Sequence, residues 1–281
     1  MGKILSNPRR ARKAELWYTS CAMQEFLNVT YLAVLQGVAE FLPISSSGHL
    51  VILQHFLDVP EAIRLRLEVF LHAGTLIAVF VFYARRIGAL LGGVCRGDRD
   101  AVGYACRIAV SALPAVAIYF MFRHDIDALV NNARMVGVLL VFTGLVLSGT
   151  RFLPRGERPV GFLKALLMGA AQAIALLPGV SRSGMTLAAA RAGKVGPEEA
   201  AEFSFLMSAP LIAGGVLLEL FKGEVNAEGF HWWILAWGVA LSAVVGYFSL
   251  AILLKALKGR WFWLFGPYCI AAGLLVAFFC K

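Results

Sequence analysis

Charge is scarce in this 281-residue chain: 15% of residues are charged against 59% that are hydrophobic. Mean hydropathy is +0.75. A soluble domain of this length needs far more polar surface, which excludes a water-soluble globular protein and leaves an integral membrane protein. Cysteine is sparse too. Cys21, Cys95, Cys106, Cys269 and Cys280 are scattered and odd in number. With no Cys-x-x-Cys or Cys/His spacing they suggest neither a disulfide framework nor a metal site, and they read as small apolar residues. A convincing signal-peptide cleavage site is missing as well. Lys3, Arg9, Arg10, Arg12 and Lys13 open the chain, but Gln24 and Glu25 break the apolar part that follows. Residues 1–25 therefore make a poor signal peptide and read as a basic, disordered leader, with Met23 as an alternative start. Acidic residues fall short of basic ones, for a net charge of +9. In a membrane protein the first explanation is orientation by the positive-inside rule, so no nucleic-acid partner is expected.

What is present is an apolar chain with two polar interruptions. The first runs Gln36-Gly37-Val38-Ala39-Glu40-Phe41-Leu42-Pro43-Ile44-Ser45-Ser46-Ser47-Gly48-His49. The second runs Gln172 to Pro178-Gly179-Val180-Ser181-Arg182-Ser183-Gly184-Met185-Thr186. Sliding one onto the other by 136 positions puts Gln36 on Gln172, Ser45 on Ser181, Ser47 on Ser183 and Gly48 on Gly184. Phe70-Leu71 and Leu76-Ile77-Ala78 match Phe205-Leu206 and Leu211-Ile212-Ala213 at 135. This predicts an internal repeat over 26–150 and 151–281, each half with a broken helix and a Ser/Gly turn.

A membrane span needs about 20 apolar residues. The apolar run at 26–42 is shorter and stops at Pro43, which reads as a half-helix that enters the membrane and turns back. Residues 49–57 read as the returning helix. Spans are expected at 67–84, 104–122 and 134–150, a second broken region at 161–192, and further spans at 203–221, 232–254 and 262–280. The fold class is thus an all-α integral membrane protein with six transmembrane helices and two re-entrant helix hairpins. Pro114 and Pro210 are expected to kink their spans. Trp232, Trp233, Trp261 and Trp263 fall at span ends as interfacial anchors.

Cations alternate between loops. Arg85, Arg86, Arg96 and Arg99 follow the first span, Arg151, Arg155, Arg158 and Lys164 the third, and Lys255, Lys258 and Arg260 the fifth. The intervening loops mix Arg123 and Arg134 with Asp125 and Asp127, and Lys222 with Glu224 and Glu228. The first set is cytoplasmic by the positive-inside rule. Three crossings per half make the halves inverted, with both hairpin tips meeting in the interior. The basic leader would lie outside, against the same rule.

The turns carry the chemistry. Ser45, Ser46, Ser47, Ser181 and Ser183 precede helix starts at Gly48 and Gly184, where they can cap orphan N–H groups. Helix N-termini also bind anions, and two facing ends would cradle one strongly. Arg182, between two of these serines, has a fork that fits phosphate, or it forms an internal salt bridge to Glu40 or Glu202. Glu40 and Gln36 share a helix face. There Glu40, with Gln36, suits Mg²⁺ or Ca²⁺, or Glu40 acts as a base, or pairs with Arg182. His49 is a candidate acid, base or nucleophile. Thr186 offers a hydrogen bond to phosphate or back-bonds within its helix. Glu68 and His72 form an i,i+4 pair to which a lesser role falls. Glu219 and Arg107 read as snorkelling interfacial charges. The Ser-Arg-x5-His motif of vanadate-binding acid phosphatases is absent: Ala188 stands at its histidine position.

Gln36-x3-Glu40 running into Phe41-Leu42-Pro43-Ile44-Ser45-Ser46-Ser47-Gly48-His49, together with Pro178-Gly179-Val180-Ser181-Arg182-Ser183-Gly184-Met185-Thr186, resembles the bacterial undecaprenyl-diphosphate phosphatase family of the bacitracin-resistance type. Glu202-Phe203-Ser204-Phe205-Leu206 resembles it too, and the likeness covers about 27–280. It implies hydrolysis of a polyprenyl diphosphate lipid to the monophosphate carrier for cell-wall synthesis. The enzyme would lie in the inner membrane among lipids, its site opening to the periplasm, with a divalent cation. Many members have Glu where this chain has Gln36, leaving Glu40 as the one carboxylate for metal. Glu40, Ser46, His49 and Arg182 are the expected catalytic residues, with Ser46, His49 or water as nucleophile. Gln36, Ser45, Ser47, Gly48, Ser181, Ser183, Gly184 and Thr186 are expected to bind substrate. A homodimer is a further expectation. The competing class is a transporter, a lipid-carrier flippase or anion carrier, which shares inverted repeats and broken helices.

Overall fold

A computed structural model describes residues 8–279 except 58, 60, 131 and 223–230. Eleven α-helices are found among the described residues: α1 (Pro8–Ala39), α2 (Ser46–Phe56), α3 (Glu61–Phe82), α4 (Ala84–Cys95), α5 (Arg99–Val130), α6 (Ala133–Gly149), α7 (Phe162–Ile174), α8 (Arg182–Ala192), α9 (Pro197–Lys222), α10 (Trp232–Lys258) and α11 (Phe265–Phe279). Among the described residues, four helical stretches are long and apolar enough to cross a membrane: Arg99–Phe122, Ala133–Phe152, Pro197–Leu218 and Trp232–Lys258. Arg66–Phe82 and Ala84–Cys95, bent by 74°, make a fifth if taken as one span. Their outer faces carry exposed Leu113, Phe120, Leu217, Val244 and Phe248. A surface so apolar belongs in lipid. The chain is thus a multi-pass membrane protein.

Both breaks fall where the polar interruptions put them. Pro43 has no N–H to continue α1, and α2 leaves in a new direction. The ends return to one level, where Asn28 Nδ2 donates to Leu57 O at 3.5 Å. α7 and α8 make the matching hairpin: a Cβ on Gly193, just past α8, would lie 3.6 Å from Lys164 Cδ near the start of α7.

The two halves interleave. α10, from the second half, packs on α1 and α3, while α5, from the first, packs on α7 and α9. α6 and α11 form the closest pair. Their backbones approach through glycines: a Cβ on Gly137 would stand 2.7 Å from Gly273 O, and one on Gly144 2.7 Å from Gly266 O. Small residues permit this intimacy in a membrane, where dispersion rather than water exclusion holds helices together. Buried Phe41, Phe203, Phe205, Leu140, Leu147, Leu253 and Phe262 fill the centre.

Three expectations change. The chain after Phe82 is not a loop: it bends at Tyr83 and continues as α4, whose Arg85 and Arg86 are exposed and whose Gly93 is buried. An arginine-bearing helix this short lies along an interface more readily than it spans. Inside α5 the non-helical residue is Phe122, with φ −125° and ψ 16°, rather than a residue at Pro114. α1 begins at Pro8, so helix takes in residues 8–25 of the stretch read as a disordered leader. Residues 1–7, with Lys3, and the loop carrying Glu224 and Glu228 lie outside the described residues, as do the side chains of Arg123, Asp125, Asp127, Glu219 and Lys222.

Candidate active site

Both tips end in serine-capped helix starts but reach them through different turns. In the first, Ser45 takes a left-handed φ of 69°. Its hydroxyl accepts from Gly48 N at 3.4 Å and lies 3.4 Å from Ser47 Oγ. In the second, Gly179 supplies the left-handed residue with φ 96°. Ser181 Oγ accepts from Gly184 N at 3.1 Å and lies 3.3 Å from Ser183 Oγ. These serines cap α2 and α8, whose N-termini converge on one place.

The tips touch. Ser183 Oγ donates to Leu42 O at 3.4 Å. A Cβ on Gly48 would sit 3.4 Å from Gly179 Cα, and one on Gly184 3.4 Å from Pro43 Cβ. These are the same contact seen from each side, since position 48 corresponds to 184 and 43 to 179. Thr143 on α6 fixes the second tip, donating to Gly179 O at 3.1 Å and accepting from Ser181 N at 3.1 Å.

Across this junction lies a buried cluster centred on Glu40. Its Oε1 meets Arg182 Nη2 at 2.5 Å. Its Oε2 accepts from Ser46 Oγ at 2.8 Å and Gln36 Nε2 at 3.2 Å, with His72 Nε2 at 3.6 Å. Arg182 Nη1 donates to Ser208 Oγ, and the guanidinium rests over the Phe205 ring, 5.8 Å from its centroid. Gln36 Oε1 is buried without a hydrogen-bond partner. A hydroxyl on a carboxylate, a guanidinium, an imidazole and two helix N-termini form an arrangement suited to phosphoryl transfer.

The chain matches the family described as bacitracin resistance protein BacA over residues 29–275. An undecaprenyl-diphosphatase of Desulforapulum autotrophicum is 38% identical over 263 residues, 87% of this chain and 94% of that protein. Undecaprenyl-diphosphatases of Rubrobacter xylanophilus and Rhodopirellula baltica are 38% and 37% identical, covering 91% and 90% of this chain and 98% of each relative. The chain belongs to the BacA family.

Within this BacA-family site the expected residues divide. Gln36, Glu40, Ser46 and Arg182 meet in one cluster, and Ser45, Ser47, Gly48, Ser181, Ser183 and Gly184 form the turns around it. His49 does not reach Glu40. Its Nδ1 is 2.8 Å from Ser45 O, its Nε2 is 2.8 Å from Tyr268 OH, and its ring stacks on Tyr268. A carbonyl at Nδ1 requires the proton there, which leaves Nε2 to accept from the tyrosine. Thr186 is turned away as well: its buried hydroxyl lies 2.6 Å from Ser204 Oγ and donates to Arg182 O at 2.9 Å. Of the two carboxylates weighed as partners for Arg182, Glu202 instead holds Arg86 Nε at 2.7 Å and Tyr104 OH at 3.0 Å.

His72 and Ser208 are the residues that sequence reasoning undervalued or missed. His72 Nδ1 donates to Glu68 O at 2.7 Å, which aims Nε2 at Glu40. An imidazole in an apolar span was the available signal. Ser208 stands four residues from Ser204 on one face of α9, a spacing that marks a polar stripe and no particular partner.

Proposed function

We infer that this protein hydrolyses undecaprenyl diphosphate to undecaprenyl phosphate and inorganic phosphate, recycling the lipid carrier of cell-wall synthesis and conferring bacitracin resistance. Membership of the BacA family carries the assignment. The hydroxyl, acid and guanidinium gathered between the two tips give it a chemical basis.

The mechanism runs through the tips. The terminal phosphate docks on Arg182 and the N–H groups at the starts of α2 and α8, with the polyprenyl tail in lipid. Ser46 Oγ attacks phosphorus and passes its proton to Glu40, the oxygen it already faces at 2.8 Å. The new Oγ–P bond forms as the bridging P–O bond breaks, and undecaprenyl phosphate departs with the proton held by Glu40. Water, deprotonated by the regenerated Glu40 carboxylate with His72 beside it, then attacks phosphorus; the Oγ–P bond breaks, inorganic phosphate leaves, and Glu40 returns the proton to Ser46 Oγ. Ser46 is favoured over His49 as nucleophile because both His49 ring nitrogens are engaged elsewhere.

A divalent cation fits the same donors. Mg²⁺ is commonly held by one or two carboxylates plus substrate phosphates. Glu40 supplies the carboxylate, and the unpartnered Gln36 Oε1 supplies a neutral oxygen beside it. The described residues contain no group of three or more His, Cys, Asp or Glu able to hold a metal without substrate. When bound, the cation neutralises diphosphate charge.

The topology read with this function is six crossings, two re-entrant hairpins and an inverted repeat in the inner membrane. Its support is the exchange of partners between halves, α10 on α1 and α3 against α5 on α7 and α9. The cation-rich loops also gather at one end, where Arg155 Nη2 donates to Lys258 O and Arg86 meets Glu202. That end is cytoplasmic by the positive-inside rule, and the first hairpin then opens to the periplasm. The deciding experiment is phosphate release from a prenyl diphosphate by purified protein in detergent. Release without a sealed compartment is expected; transport across vesicles without bond cleavage would replace the enzyme with a carrier.

A further inference from the structure

The cation-rich end of the molecule holds a pocket that the hydrolytic site does not use. Its polar wall is Arg155 and Arg191, and its apolar wall is Leu187, Val195, Ala200 and Leu257. Arg191 Nε is buried without a partner, and Arg191 Nη2 makes only a long contact to Leu153 O at 3.4 Å. The charges of Arg155 and Arg260 bear on the same guanidinium. None of these three arginines pairs with a carboxylate among the described residues. Two acids at the start of α9 are engaged elsewhere: Glu198 holds Lys258 Nζ at 2.8 Å, and Glu199 accepts from Val160 N at 2.8 Å. Pro197, the first residue of α9, lines the edge of the pocket.

Three like charges and an unfilled buried donor are unfavourable together unless an anion joins them. Guanidinium groups match tetrahedral oxyanions through paired N–H bonds. We propose that this pocket is a second anion site, in which Arg155 and Arg191 hold a phosphate-type group and Arg260 adds positive charge nearby. The apolar wall leaves room for carbon beside the phosphate, so the group is either the headgroup of an anionic phospholipid or free phosphate from the aqueous side. Arg191 lies in the last turn of α8, the helix that begins with Arg182. Nine residues of helix separate them by about 13.5 Å. An occupant therefore pins the base of the helix that carries the tip arginine. The proposal does not depend on which reaction the tips perform.

The test uses full-length protein in neutral detergent. Native mass spectrometry compares retention of phosphatidylglycerol with that of phosphatidylcholine. In parallel, thermal unfolding of Arg182→Ala, which weakens phosphate binding at the tips, is followed with inorganic phosphate against chloride at matched ionic strength. Selective retention of phosphatidylglycerol, weakened about tenfold by Arg191→Gln, assigns a lipid headgroup. Stabilisation by phosphate alone, lost when Arg191→Gln is added, assigns the free ion. Arg155→Gln/Arg260→Gln changes exposed positions, leaves α8 intact and serves if Arg191→Gln does not fold; the same weakening is expected. Absence of binding to either probe, or binding unchanged in both arginine variants, overturns the proposal.

Discussion

The two hairpin tips share their serine caps and differ in chemistry. Position by position, Ser45 answers Ser181, Ser47 answers Ser183 and Gly48 answers Gly184, and each first serine caps its helix in the same way. The places that carry the proposed chemistry diverge: Glu40 aligns with Leu176, Ser46 with Arg182, and His49 with Met185. A repeated cradle of helix ends has thus been given an acid and a hydroxyl on one side and a cation on the other. Neither tip holds a complete site. The Glu40–Arg182 pair is the seam that joins them.

The sharpest way to break this comparison is to empty one side. Arg182→Ala and Glu40→Ala should each lower turnover about 10³-fold or more, while yield and monodispersity in detergent stay near wild type. A rate within tenfold of wild type in either variant would remove that residue from the mechanism. Ser46→Ala should approach the same loss, and Ser183→Ala, a capping-turn serine on the other tip, should cost only about tenfold. Mass spectrometry of rapidly quenched protein then checks for an 80 Da adduct on Ser46; equal losses in the two serine variants without that adduct would favour direct attack by water. His72→Ala should slow the reaction about 10²-fold by removing a base from beside Glu40. His49→Ala, tied to Tyr268, should slow it less than tenfold, and the reverse order would restore His49 to the chemistry. The gentlest change is Gln36→Glu, which adds a second carboxylate. It should leave turnover within about tenfold and lower the divalent-ion concentration giving half-maximal rate. An unchanged metal titration would place any cation away from Gln36.

Much of the site was legible because polar residues inside apolar runs are expensive and therefore conspicuous. Pro43, the Ser/Gly turns and Arg182 announced both breaks and both helix starts. The partnerships were less legible. His72 reaches Glu40 only because α3 packs beside the first hairpin, and no local period encodes that. His49 and Tyr268 sit at opposite ends of the chain, and so do the two elements they join. α4 escaped notice because a pair of arginines after an apolar span looks like a loop, whereas its apolar side still packs against α5.

The resting pair of Glu40 and Arg182 has a consequence for turnover. A guanidinium that already owns an internal anion must give it up to bind phosphate, and it regains that anion when phosphate leaves. The carboxylate acts as a tethered competitor whose local concentration never falls, so inorganic phosphate should inhibit weakly and depart quickly. An isolated arginine in the same setting would hold its product and stall.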